Sequence, residues 1–244
     1  MTEELFREDA TLAECEATVL TADMSGITLD RTVFYPQGGG QAGDAGVLRW
    51  AGGDTQINHT PITDTRKHFS ATGVVNHLAA EGAALPPPGT RVVAAIDVAR
   101  RMAHRRFHTA THLLCALVPH PVDGCSITAG YARLDFHMNE PLDKEALNAG
   151  IARLVAEAHP VSHRWISEAE LDANPQLVRS MSVQPPRSAD GLGRVRVLEI
   201  DGVDRQPCGG THVANTAEVG RVVVTKIEKK SAMTRRVVLG FAAP

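Results

Sequence analysis

What this chain of 244 residues has little of narrows it first. Aromatic side chains make up only 4% of it, too few for recognition by stacked bases to be its main mode. No apolar run approaches the length of a membrane span, about 18 residues, so no membrane association is expected. The first ten residues, MTEELFREDA, are acidic and hold no signal-peptide core. The four cysteines, Cys15, Cys115, Cys125 and Cys208, show no CxxC spacing. Reduced thiols in a cytoplasmic protein are the simplest reading. HExxH is absent, which disfavours a zincin protease, and the one glycine-rich loop lacks the Gly-Lys-Ser/Thr of a Walker loop.

Neither sign of charge dominates: 25 basic and 28 acidic residues give a net charge of -3. Their distribution is uneven. Residues 1–95 hold 12 acidic and 6 basic residues, net -6, and residues 96–244 hold 16 acidic and 19 basic, net +3. An anionic polymer would sooner meet the second part. With 43% hydrophobic and 22% charged residues, the chain reads as folded, with a core large enough for one big domain or two small ones.

The pattern changes along the chain. CEATVLTA, GITLD, TVFY, GVLRW and TQIN are short strand-like runs between residues 15 and 58, punctuated by Gly, Pro and Asp. Their spacing predicts a small all-β barrel over residues 1–88, with a break at LPPPGT. Residues 89–244 read as α+β. RVVAAID is a strand, and Asp97 caps a long helix that runs from Val98 to Val118 and stops before Pro119. LDKEALNAGIARLVAEAHP, residues 142–160, predicts a second helix interrupted by Gly150. ARLDFHM, VSHRWIS, RVRVLEI, GRVVVTKIE and RRVVLGF predict strands, mostly antiparallel. The fold class expected is α+β, a small N-terminal barrel followed by helices packed on an antiparallel sheet.

Within the long helix, HTATHLL places His108 and His112 at i and i+4, on one face. Far downstream, CGGTHV offers Cys208 and His212 around two glycines that permit a tight turn. One thiolate and three imidazoles suit zinc, with Zn–S near 2.3 Å and Zn–N about 2.0–2.1 Å. Four protein ligands leave both a structural and a catalytic site open. His104 lies one further turn away among arginines and is expected at the surface.

FYPQGGGQAGDAG, residues 34–46, also fits G-x-G-x-x-G through Gly38, Gly40 and Gly43. GDAGVLRW after it reads as turn and strand rather than helix, so it is not a dinucleotide fingerprint. Three consecutive glycines exceed what a β-turn needs, and close approach of backbone to a substrate or to a neighbouring segment fits better.

Taken together, FYPQGGGQAGDAG, HTATHLL, the long run ending in PCGGTHVANTAEVG, and KIEKK followed by RRV resemble the AlaX family of freestanding alanyl-tRNA editing proteins, in their medium-length form. The resemblance covers essentially the whole chain. It implies a zinc-dependent aminoacyl-tRNA deacylase that hydrolyses the ester of mischarged Ser-tRNA(Ala), with Gly-tRNA(Ala) as a further substrate. It implies one zinc per chain on His108, His112, Cys208 and His212, and tRNA(Ala) carrying a wrong amino acid as partner. No stable protein partner is expected. The Gly38–Gln41 loop matches a segment associated with editing, which makes Gly38, Gly39 and Gly40 substrate-binding candidates. KKSAMT stands where the family often has a glycine-containing turn, and Ser126 where it often has Gln. A structural-zinc RNA-binding module, and an editing domain for another tRNA, are the competing readings.

An editor of this kind must destroy the serine ester and spare the alanine ester. Size cannot exclude alanine, the smaller of the two. A site that hydrogen-bonds the hydroxyl can discriminate by about 10⁴–10⁵. Thr32 is the candidate reader and Gln41 the second. No general base is assigned; Asp135, Asp204 and the 3′-terminal ribose hydroxyl of the tRNA are the candidates. Lys229 and Lys230, with Lys226, Arg235 and Arg236, and the group Arg100, Arg101, Arg105 and Arg106, are candidate phosphate contacts.

Overall fold

The computed structural model describes residues 1–52, 56–188 and 192–242. The described chain is α+β and divides into two compact units, Met1–Gly38 with Ala42–Arg101, and Gly39–Gln41 with Met102–Pro244.

The first unit contains β1 (Glu3–Glu4), β2 (Glu14–Asp23), β3 (Gly26–Leu29), β4 (Arg31–Thr32), β5 (Gly46–Ala51), β6 (Ile57–Lys67), β7 (Val75–Ala79) and β8 (Arg91–Ile96). Six of these close into a barrel in the order β2-β3-β7-β6-β5-β8, antiparallel at every pair. Alternate residues point inward, so Val19, Ile27, Leu29, Leu48, Ile62, Val92 and Ala94 fill the interior. The predicted boundary after residue 88 falls too early. β8 pairs with both β2 and β5 and is needed to close the barrel, so this unit runs on to Arg101.

Two other expectations change here. TVFY is a strand only as far as Thr32. Beyond it the chain turns inward, and Phe34 and Tyr35 are buried, with the Tyr35 N–H donating to Asp44 Oδ2 at 2.7 Å. TQIN begins at Thr55, outside the described residues, and its Ile57 opens the eleven-residue β6.

Helix α1 (Val98–Leu117) starts at an Asp97 cap, whose carboxylate accepts from Arg100 N at 3.0 Å. In the second unit it is followed by β9 (Val122–Ile127), β10 (Ala132–His137), α2 (Lys144–Ala156), β11 (Val161–Ser167), α3 (Glu168–Asp172), β12 (Arg194–Ile200), β13 (Asp204–Pro207), β14 (Val222–Ser231) and β15 (Thr234–Phe241). One sheet runs β14-β15-β10-β9 and another β11-β12-β13. Phe107, Ala110, Leu113 and Leu114 of α1 share a core with Ile151 of α2, Phe136 of β10 and Val237 and Leu239 of β15. Most of α1 from Arg101 onward is buried, polar side chains included, and those polar groups need partners.

Asp143 caps α2 by accepting from Glu145 and Ala146 N–H, a device worth about 1 kcal/mol. Gly150 does not interrupt this helix. A Cβ there would lie 2.8 Å from Leu117 Cδ1, so glycine lets α2 approach α1 closely. Among the described residues, no helix is long and apolar enough to cross a membrane.

Candidate metal centre

His108 and His112 leave α1 on one face, with ring centroids 5.6 Å apart. Cys208 and His212 come from the loop that follows β13. All four side chains are buried, and one potential ligand atom from each lies within 4.8 Å of the others. Cys208 Sγ is 3.5 Å from His108 Nε2 and 3.2 Å from His212 Nε2.

The outer nitrogens are tied back. His108 Nδ1 donates to Gln41 Oε1 at 2.8 Å, His112 Nδ1 to Asp204 Oδ2 at 2.7 Å, and His212 Nδ1 lies 3.3 Å from Thr109 Oγ1. The ties to Gln41 and Asp204 place the proton on Nδ1 and turn Nε2 inward, which is how metal-holding imidazoles are oriented, and the Thr109 contact holds the His212 ring in place. Gln206 Nε2 donates to both Asp204 oxygens at 3.0 Å and holds that carboxylate in turn.

Electrostatics favours a thiolate at Cys208, while His112 would release a proton on binding a metal. Burial opposes ionisation of Cys208, yet the neighbouring His108 and His212 hold its thiol well below the usual range. Burial also opposes charge on His112, but its bonds to Asp204 and Cys208 raise it to about 10. Burial and the neighbouring His108 hold His212 well below its usual value. By contrast, burial pushes Cys115 and Cys125 up to about 12 and raises Cys15. Of the four cysteines, only Cys208 sits where a thiolate is favoured, as metal ligation requires. One thiolate and three oriented imidazoles fit a tetrahedral, borderline-soft divalent ion.

The glycine-rich stretches act through space and backbone angle. Gly39 and Gly40 have φ of 57° and 85°, a region that penalises side chains. A Cβ on Gly40 would fall 2.8 Å from Cys125 Sγ, and the Gly40 carbonyl accepts from Ile127 N–H at 2.8 Å. The loop thereby delivers Gln41, fully buried, to His108. Gly38, in the other unit, has ordinary contact distances around it. Downstream, a Cβ on Gly210 would lie 2.1 Å from His108 Cε1, so CGGTH needs glycine at that position.

Other candidates lie elsewhere. Thr32 is buried in the barrel unit. His77 Nδ1 donates to the Ile27 carbonyl, which leaves Nε2 to accept from the Thr32 hydroxyl at 2.8 Å, and Thr32 Oγ1 accepts from Phe34 N–H at 3.0 Å. His104 is fully buried rather than at the surface, and stands outside the four-residue cluster. Of the helix arginines, Arg100 donates to the Gly43 carbonyl, buried Arg101 pairs with Asp44, buried Arg105 donates to the His212 carbonyl, and Arg106 donates to Val219 and stacks on Phe241. Internal partners thus engage all four, against the expectation of phosphate contacts. Lys229 and Lys230 are exposed on β14, with Lys230 Nζ 3.5 Å from Asp135. Partial burial pushes the Asp135 carboxyl up, but the hydrogen bonds and charge of Arg236 outweigh it and hold the carboxyl low. Sequence reasoning missed the orienting roles of Asp204 and Thr109. The short spacing from Asp204 to Cys208 was the available signal for the first.

Two family descriptions match this chain. Residues 195–238 match the threonyl and alanyl tRNA synthetase second additional domain, and residues 5–100 match the class II (A) tRNA synthetases. The class defined is that of synthetase-related proteins. Within it, the chain is 34% identical to the alanyl-tRNA editing protein AlaX-M of Methanosarcina barkeri, over 97% of each chain. It is 30% identical to the AlaX-M of Saccharolobus solfataricus, over 97% of this chain and 98% of that one. It is also 34% identical to the alanine–tRNA ligase of Thermofilum pendens, over 98% of this chain and 26% of the ligase, so it spans about a quarter of that enzyme. The chain belongs to the AlaX-M family of alanyl-tRNA editing proteins.

Proposed function

We propose that this protein is a zinc-dependent deacylase that hydrolyses the ester of Ser-tRNA(Ala), with Gly-tRNA(Ala) as a second substrate. The observation that carries the reading is the cluster itself: a thiolate-favouring Cys208 and three imidazoles whose outer nitrogens are tied so that the inner ones converge. Near-full-length similarity to proteins named for alanyl-tRNA editing supports the substrate class.

His108, His112, Cys208 and His212 would hold the zinc, which when bound supplies Lewis acidity toward a carbonyl or water. Asp204 is committed to His112 and Gln206, so it orients a ligand rather than serving as the free base. Gln41 holds His108 in the same sense. Thr32 is proposed as the reader of the serine hydroxyl. Because its proton goes to His77, its oxygen would accept from the substrate, and alanine would offer no donor. Lys229 and Lys230 are proposed to meet tRNA phosphates.

Four protein ligands also satisfy a structural zinc, which is the observation favouring an RNA-binding module without catalysis. Labelled Ser-tRNA(Ala), Gly-tRNA(Ala) and Ala-tRNA(Ala) separate the readings. Rapid loss of the first and sparing of the third is expected. Binding of all three without hydrolysis would contradict the enzyme reading.

A further inference from the structure

The polar groups behind the cluster form one chain of contacts. Arg196 on β12 is buried. Its carbonyl accepts from Cys208 N–H at 3.1 Å, and its Nη1 donates to the Cys208 carbonyl at 2.9 Å and the Gly210 carbonyl at 3.2 Å. The Gly210 carbonyl belongs to the same peptide group as the Thr211 N–H. That N–H donates to Gln41 Oε1 at 3.1 Å, and the same oxygen accepts from His108 Nδ1 at 2.8 Å. A second bond, from Gln41 Nε2 to Thr211 Oγ1 at 2.9 Å, keeps the amide in this orientation.

We propose that Arg196 is a positioning residue for His108 as well as for Cys208, acting through the 210–211 peptide and Gln41. The guanidinium fixes the carbonyl end of that peptide, so its N–H end is aimed at Gln41. A charged donor on the carbonyl also polarises the peptide and strengthens its N–H as a donor. One residue on β12 thus sets a loop ligand directly and a helix ligand at the end of a relay. Gly210 makes the relay possible, since any Cβ there would collide with the His108 ring. Arg105 is different: it donates to the His212 carbonyl at 2.7 Å and stands outside the relay.

The inference rests on the metal-holding part of the proposed function and is independent of the substrate. Its test is a double-mutant cycle read by metal affinity. Purified full-length protein is loaded with Co2+, and affinity is measured by competition with a chromophoric chelator while the visible spectrum is recorded. Arg196→Met and Gln41→Met should each weaken Co2+ binding by about 10–100-fold, as loss of a ligand-orienting partner does. The double variant should be little worse than the weaker single, because both break one relay. Losses that multiply would overturn the proposal, as would an Arg196→Met protein with wild-type affinity and spectrum. Arg196→Lys keeps the charge and supplies a second cycle should Arg196→Met fail to fold. The same non-multiplying result is expected, with a smaller single loss. Wild-type protein that takes up no Co2+ would overturn the metal reading along with the relay. Intact metal affinities without hydrolysis of Ser-tRNA(Ala) would contradict the substrate and leave the relay standing.

Discussion

In the barrel unit, His77 donates from Nδ1 to the Ile27 carbonyl at 3.0 Å and faces the Thr32 hydroxyl at 2.8 Å with Nε2. In the second unit, His108 donates from Nδ1 to Gln41 and turns Nε2 toward the Cys208 sulfur. Both rings are buried and oriented by hydrogen bonds. The barrel network finds its partners within the protein, and burial pushes His77 down to about 4, so the ring stays neutral. The second network converges on atoms whose natural complement is a cation. Burial alone therefore does not mark a functional histidine; the direction in which its inner nitrogen faces, and what meets it there, does.

The largest effect that would sharpen this contrast is selective. If Thr32 reads the serine hydroxyl, Thr32→Val should lower the Ser-to-Ala hydrolysis ratio by as much as about 10⁴-fold, with metal content unchanged. An unchanged ratio, accompanied only by lower thermal stability, would return Thr32 to a purely structural role beside His77. Next, Asp204→Asn removes the charge behind His112. Metal affinity by chelator competition should fall about 10–100-fold, and wild-type affinity would show that His112 needs no such support.

The barrel histidine gives a pH effect of known sign. Its folded pKa lies below the unfolded value of 6.5, so the unfolded state binds more protons. The stabilisation is complete above pH 6.5 and is lost as pH falls toward about 4. Roughly 2.5 units correspond to about 3 kcal/mol. Urea unfolding at stepwise lower pH should follow this curve, and His77→Gln should flatten it. An equal slope in the variant would assign the acid sensitivity to other groups. Smallest is the surface effect: Lys229→Ala with Lys230→Ala should reduce the salt slope of tRNA binding by about two units, roughly one per lysine. An unreduced slope would leave those lysines facing solvent.

Much of this was legible in the residues. HxxxH on a long helix and CxxxH around glycines identified the four clustered side chains, because helical spacing and turn chemistry are local. Strand patterning likewise revealed β2, β3 and β5 of the barrel, but it missed β7 and most of β6 and left β8 to the second domain. The unread parts depend on distant partners. His104 lies among arginines in sequence yet is fully buried, since α1 is covered on most sides. Arg105 looked like a phosphate contact and instead holds the His212 carbonyl, 107 positions away. Gln41 was noticed for its loop, but its partner Thr211 lies 170 positions on. Gly150 read as a helix breaker because its reason, the Leu117 side chain, belongs to another helix.

The central claim is that the Cys208 cluster holds a metal on which ester hydrolysis depends. The most direct test measures zinc per chain and Ser-tRNA(Ala) deacylation together, in wild-type protein and in Cys208→Ala. One zinc per chain with rapid deacylation in the first, and loss of both in the second, is the predicted result. A full equivalent of zinc in Cys208→Ala, or undiminished deacylation by zinc-free protein, would contradict it.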